Sequence, residues 1–472
     1  MSMGKAFLPK NLEIESLVSL NPPRFSFSNA VENIKYILST IIRLKVSFKD
    51  YHESEYVPLN ASILQSKIRD YNKYLAYLLD LGIIEVYKDG HFIQGVSSRK
   101  FKIADKYMTE GCVVEEVYEK KSKEEIYVET QFNKKYDYLT KWFNKALSID
   151  MNGAYHELEN LLLQETNGGM NIDVKSHNGI SPSERFNLRL SNARLIKEGM
   201  YYLSVDDNIK RFHSNLTNLK SELRKHITYN GQELTSVDVK NSQPFISTIL
   251  FNPSFYNKSK TEITLYSLKP SIYNTLRNSI HAIQAILQTT TGSSPLITLV
   301  KDSISQCSSN IELYCTLVDK GLFYSYYSDA YYDKTKIRLN VDVLEQKRKL
   351  KEGLFTTFFS DNKFFRQKDA EMKRLFAELF PDVYKVFCII KSNGNHNLLA
   401  IILQLIESEI IVRRVAPRIA KEVPELPIFT IHDSIVTLSS HKEYAKSILK
   451  DEFSMAIGLM PNLSFETWKQ TN

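Results

Sequence analysis

The sequence predicts an α+β protein of more than one domain, in which an antiparallel sheet draws on strands far apart along the chain. Three observations carry this reading. Strand-like runs occur at 200–250 and 425–440, the stretch between them is mostly helical, and residues 60–107 form a separate helix, helix, hairpin pattern. With 472 residues and a hydrophobic share of 43%, the chain can bury one large core and at least one smaller one, which excludes a disordered or fibrous protein. The net charge is +7, and 61 Lys and Arg stand beside 27 Tyr and 25 Phe, a mixture suited to phosphate contacts and base stacking. Cys112, Cys307, Cys315 and Cys388 form no CxxC pair and have no His at metal-ligand spacing, which argues against a zinc site or disulfide framework and fits a reducing cytoplasm. MSMGKAFLPKNLEIES lacks a signal-peptide core, and no stretch approaches the roughly 18 apolar residues of a membrane helix. A soluble cytoplasmic protein without membrane partners is expected.

Along the chain, NASILQSKIRDYNKYLAYLLDLGIIEV has apolar residues at helical spacing, and YKDGHFIQGVSSRKFKIA alternates like strands around Gly90 and Gly95. That order resembles a winged helix, in residues 1–110, with Lys88, Arg99, Lys100 and Lys102 placed to meet a phosphate backbone; a protein-docking module is the other use of such a domain. From Cys112 to about Lys134 alternating charges read as a solvated linker or strand pair. KKYDYLTKWFNKALSID and NGAYHELENLLLQE then have helical period, giving a helical linker or thumb-like region over 111–200. Residues 201–472 form the third region.

In this last region Leu234 to Val239 alternates so that Leu234, Ser236 and Asp238 share one face, and a charge ends an otherwise buried strand. Ile428 to Ile431 and Ile435 to Leu438 flank His432, Asp433 and Ser434, which puts Asp433 at a hairpin tip. Taken alone, Asp238 reads as a strand-end salt-bridge partner and Asp433 as a turn residue. Together, on neighbouring strands, they would supply the hard oxygen ligands that two magnesium ions need for phosphoryl transfer. Between them, Lys347, Lys351, Phe355 and Phe359 recur at every fourth position and line one helical face, cations first and aromatics after. Such a face, with Arg348 beside it, suits the phosphates, base and sugar of a nucleoside triphosphate; its plainer reading is an amphipathic helix with a basic end.

These three segments resemble motifs A (234–245), B (347–360) and C (428–438) of the family A DNA polymerases and single-subunit phage-type RNA polymerases. Lys347, Lys351, Phe355, Phe359 and Ser360 follow motif B, and His432 with Asp433 follows motif C, where Ser434 is similar to the RNA-polymerase version. KRFHSNL at 210–216 looks like the upstream arginine segment, Arg224 stands where an arginine precedes motif A, and Gln404 takes the place of a glutamine that contacts template-primer. Asp238, Gln243 and Pro244 are similar to the Asp-x4-Gln-Pro of the transposon-and-virus polymerase family, which is the preferred resemblance. It covers about residues 205–472 and implies a right-hand polymerase palm with an antiparallel sheet, helical fingers and a small N-terminal winged-helix domain.

The resemblance implies a DNA-directed DNA polymerase of a phage or mobile element, acting on a DNA template-primer with nucleoside triphosphates and two Mg²⁺ ions. Asp238, Asp433 and the Val239 carbonyl would bind the metal. Lys351 would be general acid, Lys347 and Arg348 would hold phosphates, and Phe355 and Phe359 would shape the nucleotide pocket. Arg211, Arg224, Gln243, Gln404 and His432 would position nucleic acid or active-site loops, His432 having a packed turn residue as its competing role. Phe359 stands where the RNA polymerases carry a tyrosine that senses the ribose 2′-OH, which favours deoxynucleotides. No Asp-x-Glu exonuclease cluster is evident in the first 200 residues, so proofreading is not expected. The alternatives are an RNA polymerase or primase-like enzyme on the same fold, and a non-enzymatic winged-helix replication initiator.

Overall fold

The structure is a computed structural model that describes residues 2–24, 29–47, 55–87, 98–119, 123–166, 181–290, 309–340 and 343–469. The chain divides into two compact units, the first made of Met1–Ser204, His213–Leu234 and Thr467–Asn472, the second of Val205–Phe212 and Thr235–Glu466.

In the first unit the Ser2–Pro9 strand pairs antiparallel with Cys112–Glu119 over its whole length, from Ser2↔Glu119 to Pro9↔Cys112. Of the two readings of the 112–134 stretch, the strand holds for Cys112–Glu119, and the Lys123–Lys135 helix comes after it. The reason lies in side-chain pairing. Cys112 and Val117 bury beside Phe7 and Leu8, while the buried ammonium of Lys35 meets Glu115 at 2.7 Å and Glu15 at 2.5 Å. The Ala30–Ser47 helix supplies Ile34, Ile37, Leu38, Ile41 and Ile42 to the same core, the i, i+3, i+4, i+7, i+8 stripe of an amphipathic helix.

The helices Ala61–Lys67 and Tyr71–Asp80 come next, the first capped by the Asn60 side chain on the Ser62 and Ile63 amides, and strands Ile84–Val86 and Lys100–Ile103 pair antiparallel after them. Lys88, Gly90 and Gly95 lie outside the described residues. Of the expected phosphate contacts, Arg99 and Lys100 lie over the rings of Phe101 and Tyr87. Lys102 departs from expectation: it is buried and ion-paired with Asp105 (3.1 Å), Glu85 (3.4 Å) and Glu55 (3.9 Å), so its charge is spent within the fold. The first expected helix beyond 134 is mostly broken too. Only Asp137–Thr140 is helical, and Leu147–Ile149 is a strand paired with Ile227–Tyr229, followed by the Met151–Thr166 and Pro182–Lys197 helices.

The second unit is built on the strand Gln232–Val239, which begins in the first unit and continues into this one. Its neighbour is the second strand of an antiparallel hairpin, Ile428–Ile431 and Ser434–Leu438, and Leu463–Trp468 also pairs with it. Thr235, Ser236 and Val237 are all buried, as is every residue of Ile428–Ile431, so both faces of the sheet are covered and strict polar alternation is lost. Helices Phe323–Thr335, Leu344–Phe359, Glu371–Leu379 and Pro381–Ile390 share an aromatic core in which Phe376 stacks on Phe387 at 6.0 Å and Phe358 meets Phe387 at 5.1 Å, and the aliphatic Leu398–Ile410 helix follows them. After Leu398–Ile410 the backbone widens to a π-turn over Ile411–Val415, which accommodates Pro417, a residue unable to donate into a regular α-helical ladder.

Candidate active site

Two strands bring the two aspartates together. Asp238 is the penultimate residue of Gln232–Val239, where Ser236 Oγ donates to its carboxylate at 2.8 Å. Asp433 is the second residue of the two-residue hairpin turn between Ile431 and Ser434, and its backbone carbonyl accepts from the Val239 amide at 3.4 Å. His432, before it, has φ 52°, a left-handed conformation that is uncommon outside glycine and that sets the tight turn carrying Asp433. Burial, the charge of Glu407 and the charge of Asp238 push the Asp433 carboxyl up to about 7, against the opposing pull of a backbone hydrogen bond and, more weakly, of Arg211.

Glu407 is the residue that sequence reasoning missed. It lies on Leu398–Ile410, is 1% exposed, and gathers three partners of the second unit. Arg211 donates to Oε1 through Nε at 2.9 Å and through Nη2 at 2.5 Å; Gln243 Nε2 and Ser242 Oγ donate to Oε2 at 2.9 and 3.2 Å. Arg211 and Gln243 thus both hold a buried carboxylate. Asn241, at φ 55°, makes the bend that delivers Ser242 and Gln243 from the end of the Asp238 strand into the short Ser242–Ser247 helix. Burial raises the Glu407 pKa, opposed by the Arg211 charge and these hydrogen bonds. The signal available in the sequence was an acid directly after the apolar run LLAIILQLI, since a carboxylate at the end of so apolar a stretch must find a cation or several donors. Gln404 is half-buried one turn earlier on that helix, on the same side as Glu407.

The expected helix forms as Leu344–Phe359. Leu350, Leu354 and Phe358 bury one face, leaving Lys347 and Arg348 exposed and Lys351, Phe355 and Phe359 partly exposed on the others. Phe355 and Phe359 contact each other at 5.4 Å, tilted by 56°. The Lys351 ammonium lies 5.5 Å from the ring centroid of Tyr324, a buried residue the sequence reading did not single out. Burial and the Lys347 charge lower the Lys351 pKa, and the Asp433 charge raises it, which sets this lysine within electrostatic reach of the aspartate turn. Arg224 belongs to the first unit, where its guanidinium lies 5.9 Å from the Trp468 ring centroid. Among the described residues, no group of three or more His, Cys, Asp or Glu has metal-cage geometry.

No family model matches the chain, and no curated protein does. Among solved structures it is similar to the POL domain of Pol1 from M. smegmatis, in complex with DNA primer-template and dNTP. The two share 10% identity over 70% of this chain and 68% of that one, with a TM-score of 0.40.

Proposed function

We propose that the chain is a template-directed nucleotidyltransferase that extends a DNA primer with deoxynucleoside triphosphates. The observation that carries this is the adjacency of Asp238 and Asp433 on neighbouring strands, with Lys351 within reach of Asp433's charge. Around Asp433 the carboxylates Asp238 and Glu407 outnumber the one guanidinium, Arg211, and the carboxyl keeps its proton to about pH 7. An excess of buried negative charge built from oxygen donors fits a hard divalent cation. Asp238, Asp433 and the Val239 carbonyl are the residues that would hold Mg²⁺, whose chemistry when bound is to activate a primer hydroxyl and neutralise phosphate charge.

The chain's own groups do the rest. The primer 3′-hydroxyl loses its proton to solvent water as its oxygen bonds to the α-phosphorus of the triphosphate, the bond from that phosphorus to the bridging oxygen breaks, and Lys351 gives its proton to the departing pyrophosphate. Burial makes that transfer easier by destabilising the ammonium. Lys347 and Arg348, exposed one turn before Lys351, meet the outer phosphates, and Phe355 and Phe359 form an apolar wall for base and sugar. A phenylalanine at 359 has no hydroxyl to recognise a ribose 2′-OH, which supports the deoxynucleotide reading. In this reading the sheet with its aspartates is the palm, the Leu344–Phe359 helix belongs to the fingers, and residues 1–110 hold a winged-helix-like domain for duplex DNA.

The test is extension of a labelled DNA primer on a DNA template with Mg²⁺, comparing deoxynucleotides with ribonucleotides. Asp238→Ala and Asp433→Ala proteins should fold and fail to extend. Extension by either variant at the wild-type rate would sink the proposal, and extension with ribonucleotides alone would replace it by an RNA polymerase.

A further inference from the structure

Lysine is rarely buried without a counter-ion, because removing an ammonium from water costs several kcal/mol. Lys373 is 0% exposed and Lys391 is 3% exposed, and among the described residues neither forms an ion pair. Lys391 Nζ donates to the carbonyls of Thr357 at 2.6 Å and Ser360 at 3.1 Å. Lys373 Nζ donates to Ser360 Oγ at 2.9 Å and to the Asp361 carbonyl at 2.7 Å. All four acceptors belong to the last turn of Leu344–Phe359 and the two residues after it. A helix ends with carbonyls that have no partner in the helix and with the negative end of its dipole, so two cations at this spot replace both missing donors and missing charge. Ser360 ties the pair together, since its Oγ also donates back to the Thr356 carbonyl at 2.5 Å. A further link comes from Asn362, whose side chain donates to the Cys388 carbonyl at 2.8 Å. At the opposite end, the helix has no side-chain cap on its first amides.

We propose that Lys373 and Lys391 are positioning residues: they pin the C-terminal end of the Leu344–Phe359 helix and so fix Phe355 and Phe359 as the rigid wall of the nucleotide pocket. The inference rests on the nucleotidyltransferase reading. Packing alone does not call for this arrangement, because the buried face of the helix is already filled by Leu350, Leu354 and Phe358, and an apolar side chain would fill either lysine site without the cost of desolvating a charge. Burial accordingly pushes the Lys391 ammonium down to about 8 and lowers Lys373, with the Asp361 carboxylate and Cys388 acting in the opposite sense on both.

The experiment uses the full chain and two variants, Lys391→Met and, as a milder change that removes one Lys373 acceptor and the hydroxyl's bond to the Thr356 carbonyl while keeping both lysines, Ser360→Ala. Steady-state extension is measured against deoxynucleotide concentration, primer-template binding by anisotropy, and backbone amide exchange by mass spectrometry. Lys391→Met removes two charge-assisted hydrogen bonds, and because the helix end keeps its Lys373 contacts, an effect the size of one such bond, about tenfold, is expected to reach the nucleotide site. Lys391→Met should therefore raise the nucleotide KM about tenfold with kcat and primer-template affinity nearly unchanged, and speed exchange at 355–361 while exchange in Leu398–Ile410 stays as in wild type. Ser360→Ala should show the same pattern, weaker. Unchanged KM and exchange in both variants, or a parallel loss of KM, kcat and primer-template binding, would overturn the proposal. If Lys391→Met does not fold, Ser360→Ala decides by the same criteria. If the wild-type protein extends nothing, the polymerase reading fails, whereas the exchange measurement still decides whether the lysines pin the helix.

Discussion

Asp433 illustrates how much a single side chain here depends on its neighbours. Its carboxyl holds a proton to about pH 7 because it is desolvated and faces Glu407 and Asp238. The folded state therefore binds more protons than the unfolded chain between about pH 4 and 7, and this group's contribution to stability falls as pH rises through that window. Asp433→Asn should be more stable than wild type at pH 8 without divalent metal, by on the order of 2 kcal/mol, and no different at pH 4. Denaturant titrations at the two pH values check this, and an unchanged difference between them would refute the assigned cause. Lys351 runs the other way. Its depressed pKa places the basic limb of the pH–rate profile below the usual lysine range, and the Lys347 charge is one of the causes. Lys347→Met should move that limb to higher pH, whereas an unshifted limb would remove Lys351 as the titrating acid. Both aspartates and the lysine–phenylalanine spacing were legible in the sequence because each is a local pattern: a charge at a strand end, a polar tip between apolar runs, a repeat of four. Glu407 was obscure because its partners, Arg211, Ser242 and Gln243, come from a distant segment.

At the scale of elements, Glu407 joins the Leu398–Ile410 helix to the Asp238 strand's exit turn through Ser242 and Gln243, and to the Val205–Phe212 segment through its ion pair with Arg211. Breaking a buried pair leaves one charge uncompensated, so Arg211→Met should destabilise by about 3–5 kcal/mol. Arg211→Met combined with Glu407→Leu should recover most of that loss, since no charge is then left buried. Equilibrium unfolding of the two single variants and the double variant measures the coupling; additive losses would show that the pair does not act as a unit. The hairpin of Asp433 was read from sequence with nearly correct bounds, because a two-residue turn between β-branched runs is set locally. The Cys112–Glu119 strand was only one of two readings, since its alternating charges suit a solvated linker equally well until Lys35 is seen against Glu115. Likewise, Leu147–Ile149 was assigned to a helix because its partner strand, Ile227–Tyr229, lies some 80 residues on.

For the whole molecule, the +7 charge bears on nucleic-acid affinity only through the cations left free to meet phosphates. Lys35, Lys102 and Arg211 are committed to carboxylates, and Lys373 and Lys391 to carbonyls. Lys347 and Arg348 are exposed, Arg348 with only a weak 3.5 Å contact to Glu352. If about three phosphates are neutralised, affinity for primer-template should fall roughly fortyfold when salt is raised fourfold, and Lys347→Met, whose ammonium is assigned to the triphosphate, should leave that slope unchanged. Anisotropy titrations at several salt concentrations test this; a flat salt dependence would argue against a phosphate-contacting surface.

The sequence by itself determined the local chemistry and local geometry: which residues are acids, where the hairpin turns, which side chains share a helical face, and that the chain mixes helices with antiparallel strands. These follow from periodicity and turn stereochemistry within a dozen residues. Only the tertiary structure decided that the Asp238 and Asp433 strands are neighbours, that Arg211 and Gln243 meet Glu407, and that two lysines lie buried at a helix end. Each of those outcomes depends on the cost of an unpaired buried charge or polar group, and that cost is settled only when distant segments pack together.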